Sequence, residues 1–267
     1  MTQHNAALVL SGGAALGAAH LGVVEVLQAR DIKFDFYAGV SAGALVAAAL
    51  ACGKGAAELI SILEKTRLIN LAFDFSGTFH GLVRGRKVKA LLDRLYEGRT
   101  FEDLPVKLFV GVTDFNNGER VILDSGSLAD AVRASVSVPL FFDPYYHPGA
   151  KRWFVDGGLT QNLPLDIAVE RYAGDRIYAC DVCSCLDEKA DFSRKPFLQG
   201  VLNLKRNAER SLRIIFRMQQ RLLPNDPRVI KIVPDLAQFN GIDAHRLKLI
   251  TERGREAARM VTDEAAR

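Results

Sequence analysis

The chain has 267 residues, a net charge of +4, 49% hydrophobic residues and 25% charged residues. That length suits one large α/β domain, alone or with a helical appendage, and so mild a charge gives no reason to expect a nucleic-acid partner. No apolar run is long enough to span a bilayer, and the start, MTQHNAALVLSGG, lacks the basic and apolar regions of a secretory signal.

In chain order, residues 6–10 (AALVL) form a short apolar strand that ends at Gly12-Gly13. Residues 16–29 carry apolar side chains at helical spacing. FDFYAGV is a second strand, followed by a helix over 42–52 that Gly53 to Gly55 break. Further helices are predicted over 56–66 and 87–96, with a glycine- and aromatic-rich loop over 70–86 between them. Residues 106–115 and 119–123 are strands around the turn Asn116-Asn117-Gly118. Ser127 is placed to cap a helix through Ser135. Residues 139–156 hold two aromatic strand-like pieces, LFF and RWFVD, around His147-Pro148-Gly149. A helix over 163–172 has Pro164 near its start, and 176–182 is another strand.

Beyond about residue 190 the character changes. Residues 196–223 form a long helix, 229–233 a short strand, and 243–266 a charged terminal helix. The alternating βα order predicts a three-layer α/β fold: a mostly parallel central sheet with helices on both faces, plus C-terminal helices. Residues 1–190 are expected to form the catalytic α/β domain, and 191–267 an extension packed on it.

Of the four cysteines, Cys180, Cys183 and Cys185 cluster in RIYACDVCSCL. No second cysteine or histidine cluster completes a tetrahedral set, and side chains in a strand alternate faces. The segment reads as reduced structural thiols, consistent with the cytoplasm.

Two glycine turns carry the chemistry. In LSGGAALGAAHLG, a strand, a glycine pair and a helix start present backbone N–H groups to an anion. A P-loop would need Lys-Ser/Thr where the chain has Ala18-Ala19, and the dinucleotide fingerprint G-x-G-x-x-G is absent. The remaining reading is an oxyanion hole, which requires a nucleophile nearby. Gly39-Val40-Ser41-Ala42-Gly43 supplies a G-x-S-x-G turn; it is either a nucleophile elbow or a tight turn with a small serine cap.

The five histidines are poor bases: His4 lies in the tail, His20 on the first helix, His80 and His147 in irregular segments, and His245 on the last helix. Asp156, at the end of RWFVD and just before Gly157-Gly158, is either a reaching carboxylate or an ordinary Asp-Gly turn.

These segments together resemble the patatin-like phospholipase family. Ser11 to Gly17 (SGGAALG) is similar to its glycine-rich block, and Gly39 to Gly43 to its nucleophile block. ASVSVP with Phe141-Phe142 is similar to its third block, and Asp156-Gly157-Gly158 followed by Asn162-Leu163-Pro164 to its D-G-G/A block. TDFNNGERVILDSGSLADAVRAS adds to the likeness. The resemblance implies a Ser-Asp dyad acting on phospholipid or related acyl esters through an acyl-enzyme. Ser41 would be the nucleophile and Asp156 the proton acceptor. Backbone N–H groups of Gly12, Gly13 and Ala14 would form the oxyanion hole, with Gly17, Gly39, Gly43, Gly157 and Gly158 supporting the motifs. No cofactor or metal is implied. The chain departs from the family pattern at Ala14, where a third glycine is usual, and at Leu16, where a basic residue is frequent.

Two rivals stand beside this reading: an α/β-hydrolase with a Ser-His-Asp triad, and a non-catalytic lipid-binding module on the same fold. The helix after residue 196 carries Lys205, Arg206, Arg210, Arg213 and Arg217, a basic face suited to peripheral membrane contact or to simple solvation. Phe73, Phe75, Phe79, Leu82 and Val83 are candidates for a lid or acyl-entry rim, or for core packing.

Overall fold

In the computed structural model, the described residues are 5–65, 84–185, 200–241 and 243–264. Side chains at 64, 65, 200–206, 208, 209 and 264 lie outside that description, as do the expected rim residues Phe73 to Val83, and His4 and His80.

One eight-stranded sheet organises the fold: β1 (Asn5–Leu10), β2 (Lys33–Val40), β3 (Lys107–Asp114), β4 (Arg120–Leu123), β5 (Tyr145–His147), β6 (Arg152–Asp156), β7 (Ile177–Cys180) and β8 (Val229–Ile232). Its order is β5-β6-β3-β2-β1-β7-β8, with β4 also pairing β3. The pairs from β3 through β8 are parallel, whereas β4, β5 and β6 pair antiparallel.

The helices are α1 (Ala18–Gln28), α2 (Ala42–Ala51), α3 (Ala56–Lys65), α4 (Arg86–Leu95), α5 (Leu128–Ser135), α6 (Leu165–Arg171), α7 (Gly200–Gln219) and α8 (Leu247–Glu264). They cover both faces. On β1, Ala6, Leu8 and Leu10 enter the larger core with residues of α1, α2, α5 and α8, while Ala7 and Val9 face a smaller core with Leu165, Ile167 and Ala168 of α6. The period-2 alternation of a strand buried on both faces explains why AALVL is apolar throughout.

The C-terminal segment completes this sheet: β8 pairs β7, and α8 lies tightly on α1. A Cβ on Gly22 would come within 2.0 Å of Thr251 O, and one on Gly254 within 2.0 Å of Ala19 O, so backbone meets backbone across that contact.

Two local expectations are corrected. The LFF piece does not extend: Leu140 sits at φ 71 and the chain turns there, so the strand of that region is β5. His147 is not in an irregular segment; it ends β5, is buried, and accepts a hydrogen bond from Ala150 N at Nδ1 (3.0 Å).

Candidate active site

Ser41 stands where β2 gives way to α2. Its backbone takes φ 54 and ψ −122, outside the ordinary regions for a side chain of this kind. Such strain costs of order 1–3 kcal/mol and persists only where surroundings impose it. They do so here by close packing. A Cβ on Gly43 would lie 2.3 Å from Leu10 O, and one on Gly39 would lie 2.7 Å from Gly43 O. Glycine at both positions lets β1, β2 and α2 converge, and the sharp turn lifts Ser41 to the carboxyl edge of the sheet.

Register brings in Asp156. Val40 pairs with Gly111 on β3, and the next residue, Val112, pairs with Asp156 on antiparallel β6. Asp156 therefore ends its strand at the same edge as Ser41. Both are 5% exposed. Asp156 Oδ1 accepts the Gly158 N–H at 2.8 Å, and Oδ2 is buried with no hydrogen-bond partner. Burial pushes the Asp156 carboxyl up to about 6, against smaller opposing effects of the nearby Ser41 hydroxyl and the Gly158 N–H. The Ser41 hydroxyl thus stands near enough to favour the charged carboxyl, while Oδ2 keeps no hydrogen-bond partner.

The segment between them brackets the pair. Ser135, at the end of α5, accepts the Ser41 N–H at Oγ (2.8 Å) and donates to Gly111 O (2.7 Å). Ser137 O accepts the Asp156 N–H at 3.0 Å. Buried Arg133 donates to Ser137 Oγ (2.6 Å) and to Gly85 O (3.2 Å). The sequence showed ASVSVP as a block but not its purpose, because a serine that hydrogen-bonds only to backbone leaves no pattern of its own.

The glycine-rich turn closes the site from the β1 side. A Cβ on Gly12 would fall 3.1 Å from Ser41 Cβ, and one on Gly17 2.5 Å from Ala42 Cβ. The Gly12 N–H donates to Asn162 O at 3.1 Å, so of the three N–H groups considered, it is already engaged. Those of Gly13 and Ala14 stand at the start of a 3-10 turn (Ala14–Gly17), with no intrahelical acceptor. Ala14 adopts φ 49, the left-handed region that glycine favours, so alanine is held there under strain. Leu16 is buried in the core and brings no charge to the site.

Beneath this turn lies His20, fully buried on α1. Its Nε2 is 2.8 Å from Ser11 O, a pure acceptor, so Nε2 carries the proton. Nδ1 then accepts from the Cys180 thiol at 3.2 Å. Burial lowers the His20 pKa to about 4, leaving it neutral. His147 pairs with Arg152, the far end of β6 from Asp156, and His245 is exposed just before α8. None of the described interactions of Ser41 or Asp156 involves an imidazole.

Gly157 and Gly158 open a second 3-10 turn (Gly157–Leu159), and a Cβ on Gly157 would meet Gly111 O at 2.3 Å. A helix from the C-terminal segment seals that turn. Gln219 of α7 accepts the Asn162 N–H (2.8 Å) and donates to Gly158 O (3.0 Å), and Phe216 of α7 would lie 3.0 Å from a Gly158 Cβ. Gln219 carries no motif, and neither its role nor that of Asn162 could be read from spacing.

The expected basic face of α7 is corrected at one position. Arg213 is buried, donating to Phe239 O at 3.0 Å and also to Cys185 O, so it pins the helix to the domain and does not face a membrane. Arg217 is exposed and Arg210 half-buried; the Lys205 and Arg206 side chains lie outside the described residues.

Among the described residues, no group of three or more His, Cys, Asp or Glu is placed to hold a metal, and no helix is long and apolar enough to cross a membrane. A cleft of about 1270 Å³ opens at the opposite edge of the sheet, near Asp35, Lys107 and Tyr172, away from Ser41.

The family model for patatin-like phospholipase matches residues 8–169, which include every site residue named in the motifs. An uncharacterized NTE family protein of Mycobacterium tuberculosis is 28% identical over 267 aligned residues, spanning 94% of this chain and 45% of that protein. A patatin-like phospholipase domain-containing protein of Caenorhabditis elegans is 32% identical over 199 residues, covering 69% of this chain and 14% of its own length. The chain thus spans less than half the length of these relatives. Among solved structures, VipD from Legionella pneumophila superposes with a TM-score of 0.64 at 17% identity, over 98% of this chain and 67% of that one, a likeness of fold. With the model matching more than half of its length, the chain belongs to the patatin-like phospholipase family.

Proposed function

We propose that the chain is a lipid acyl hydrolase that cleaves carboxylic ester bonds through a Ser41-Asp156 dyad. One observation carries this reading: a serine on a strained elbow beside a buried carboxyl whose pKa is raised to about 6. A carboxylate of ordinary pKa is a weak base, and burial makes this one a better acceptor near neutral pH.

Ser41 Oγ attacks the acyl carbon as Asp156 takes its proton. The N–H groups of Gly13 and Ala14 stabilise the oxyanion, with Gly12 holding the turn in place. Asp156 then passes the proton to the leaving alkoxide, and water hydrolyses the acyl-enzyme. The mechanism calls on no metal or cofactor. Phospholipid or lysophospholipid esters are the proposed substrates, in line with the family's name and with a relative named neuropathy target esterase. We place contact with a lipid surface on the outer face of α7, where Arg217 stands among exposed Ile214, Ile215 and Met218.

The test compares wild type, Ser41→Ala and Asp156→Asn on p-nitrophenyl butyrate and on phospholipid vesicles. Loss of roughly 10⁴-fold or more in kcat is expected for either variant. Full activity in Asp156→Asn would overturn the dyad, and a wild type inactive on every ester would favour a binding module.

A further inference from the structure

Asn162 is 1% exposed, yet its Oδ1 has no hydrogen-bond partner. A buried acceptor left unpaired forfeits its hydration with nothing in return, so its persistence calls for a reason. The amide cannot be turned round to relieve it. Nδ2 donates to Gly12 O at 3.3 Å, and exchanging the two atoms would set oxygen against oxygen.

The surroundings of Oδ1 are those of the reaction. It lies 2.5 Å from the point a Cβ on Gly12 would occupy, and that point is 3.1 Å from Ser41 Cβ. Asn162 Oδ1 and Asp156 Oδ1 both lie 3.0 Å from the point a Cβ on Gly158 would occupy. Glycine at 12 and 158 thus leaves Asn162 Oδ1 close to both Ser41 and the Asp156 carboxyl with no Cβ between them. Two acceptors here are buried without partners: Asn162 Oδ1, and Oδ2 of the Asp156 carboxyl whose Oδ1 stands by Gly158. A molecule with two O–H donors and a lone pair between them satisfies both.

We infer that Asn162 holds the water that hydrolyses the acyl-enzyme, an inference that rests on the serine-hydrolase reading above. The water donates one hydrogen to Asp156 and the other to Asn162 Oδ1, which directs its lone pair at the acyl carbon. Its oxygen bonds to that carbon, the proton facing Asp156 moves to the carboxylate, and the carbonyl electron pair becomes the oxyanion. When the intermediate collapses, the carbon–Oγ bond breaks, Ser41 Oγ recovers the proton from Asp156, and the carboxylic acid departs. Asn162 takes no proton; it fixes the second hydrogen. In acylation the serine hydroxyl itself faces Asp156, so Asn162 acts on the second step.

The test separates the two steps in Asn162→Ala and in the milder Asn162→Ser, with p-nitrophenyl butyrate as the probe. Single-turnover release of p-nitrophenolate reads acylation, and the decay of the butyryl adduct on intact protein, followed by mass spectrometry, reads deacylation. Acylation within about threefold of wild type is expected, with adduct decay slowed roughly 10- to 100-fold and restored by hydroxylamine, which does not depend on a held water. Equal slowing of both steps, or no slowing of decay, overturns the inference while leaving the dyad standing. Absence of acylation in both variants also overturns it, since the residue would then serve the fold or the first step. Turnover by Ser41→Ala, or a wild type that never forms the adduct, instead removes the serine-hydrolase reading.

Discussion

The Oγ of Ser135 accepts a hydrogen bond from the backbone N–H of Ser41 at 2.8 Å and donates one to Gly111 O at 2.7 Å. One buried hydroxyl thus joins the elbow, strand β3 and the end of α5. Ser135→Ala leaves a buried donor and a buried acceptor unpaired, each worth about 1–3 kcal/mol. Thermal or urea unfolding should show a loss of roughly 2–4 kcal/mol. The proposed kcat on p-nitrophenyl butyrate should fall by about 10-fold or more, because small misplacement of a nucleophile is costly. Ser135→Cys or Ser135→Thr, which keep a group that can bridge, should recover part of both.

Asp156 sets a pH dependence of opposite sign for activity and stability. As the proposed base it must be ionised, so kcat/KM should rise through about pH 6 and level off above it. For stability, the carboxyl ionises near its ordinary 3.8 in the unfolded chain but near 6 in the fold. Between those values the folded state holds a proton that the unfolded state has released, so this group's contribution falls as pH rises from about 4 to about 6. Above that window the charged form costs the fold about 3 kcal/mol. Asp156→Asn keeps the Oδ1 acceptor for Gly158 N and removes the charge. It should be inactive, yet melt at a higher temperature than wild type at pH 8, with the gap closing at pH 4. A lower melting temperature at pH 8 would mean that the carboxylate is held by stabilising contacts.

How far these features were legible depended on their range. Strands buried on both faces, such as β1 and β2, announce themselves as apolar runs between glycine turns, so the parallel centre of the sheet was readable. The antiparallel edge was less so. Leu140 and Phe141 are as apolar as a strand residue, but whether the chain extends or turns there depends on φ at Leu140, which side-chain pattern does not encode. Ser41 and Asp156 stood out because glycine punctuates both, and glycine at those places follows from backbone approaching backbone. The supporting contacts were hidden. Gln219, Asn162 and Ser135 act through hydrogen bonds to backbone across long sequence separations, and any polar residue in a helix or turn looks the same until the fold closes. Arg213 was read with its neighbours as a cation on a basic face, and only the packing of α7 shows it turned inward.

Gln219 couples α7 to the Gly157–Leu159 turn that follows Asp156. Its amide both accepts from Asn162 N and donates to Gly158 O, so a carboxylate can replace only the accepting half. Gln219→Glu keeps the acceptor, loses the donor, and sets a negative charge near Asp156. Like charge nearby raises a carboxyl pKa. The midpoint of the kcat/KM profile should therefore move to higher pH in Gln219→Glu, whereas Gln219→Leu should lower activity without moving it. A profile unmoved in Gln219→Glu would show that the helix is held against the turn by packing alone.

Arg213 and Arg217 lie on one helix but should answer to different assays. Arg213 is buried with its guanidinium on the carbonyls of Phe239 and Cys185. Arg213→Ala removes both bonds and leaves a cavity, so a loss of about 3–5 kcal/mol in unfolding free energy is expected. Arg217 is exposed beside Ile214 and Met218, so its replacement should cost far less stability than that of buried Arg213. If that face meets lipid, charge reversal there should weaken binding to vesicles rich in anionic phospholipid. Flotation of Arg217→Glu with such vesicles should show reduced binding, most visibly at low salt, because exposed charges are screened as ionic strength rises. Binding to neutral vesicles and turnover of p-nitrophenyl butyrate should be unchanged. Undiminished flotation of Arg217→Glu together with Met218→Asp would remove α7 as the lipid-facing surface, while the inward hold of Arg213 on Phe239 and Cys185 would stand unaffected.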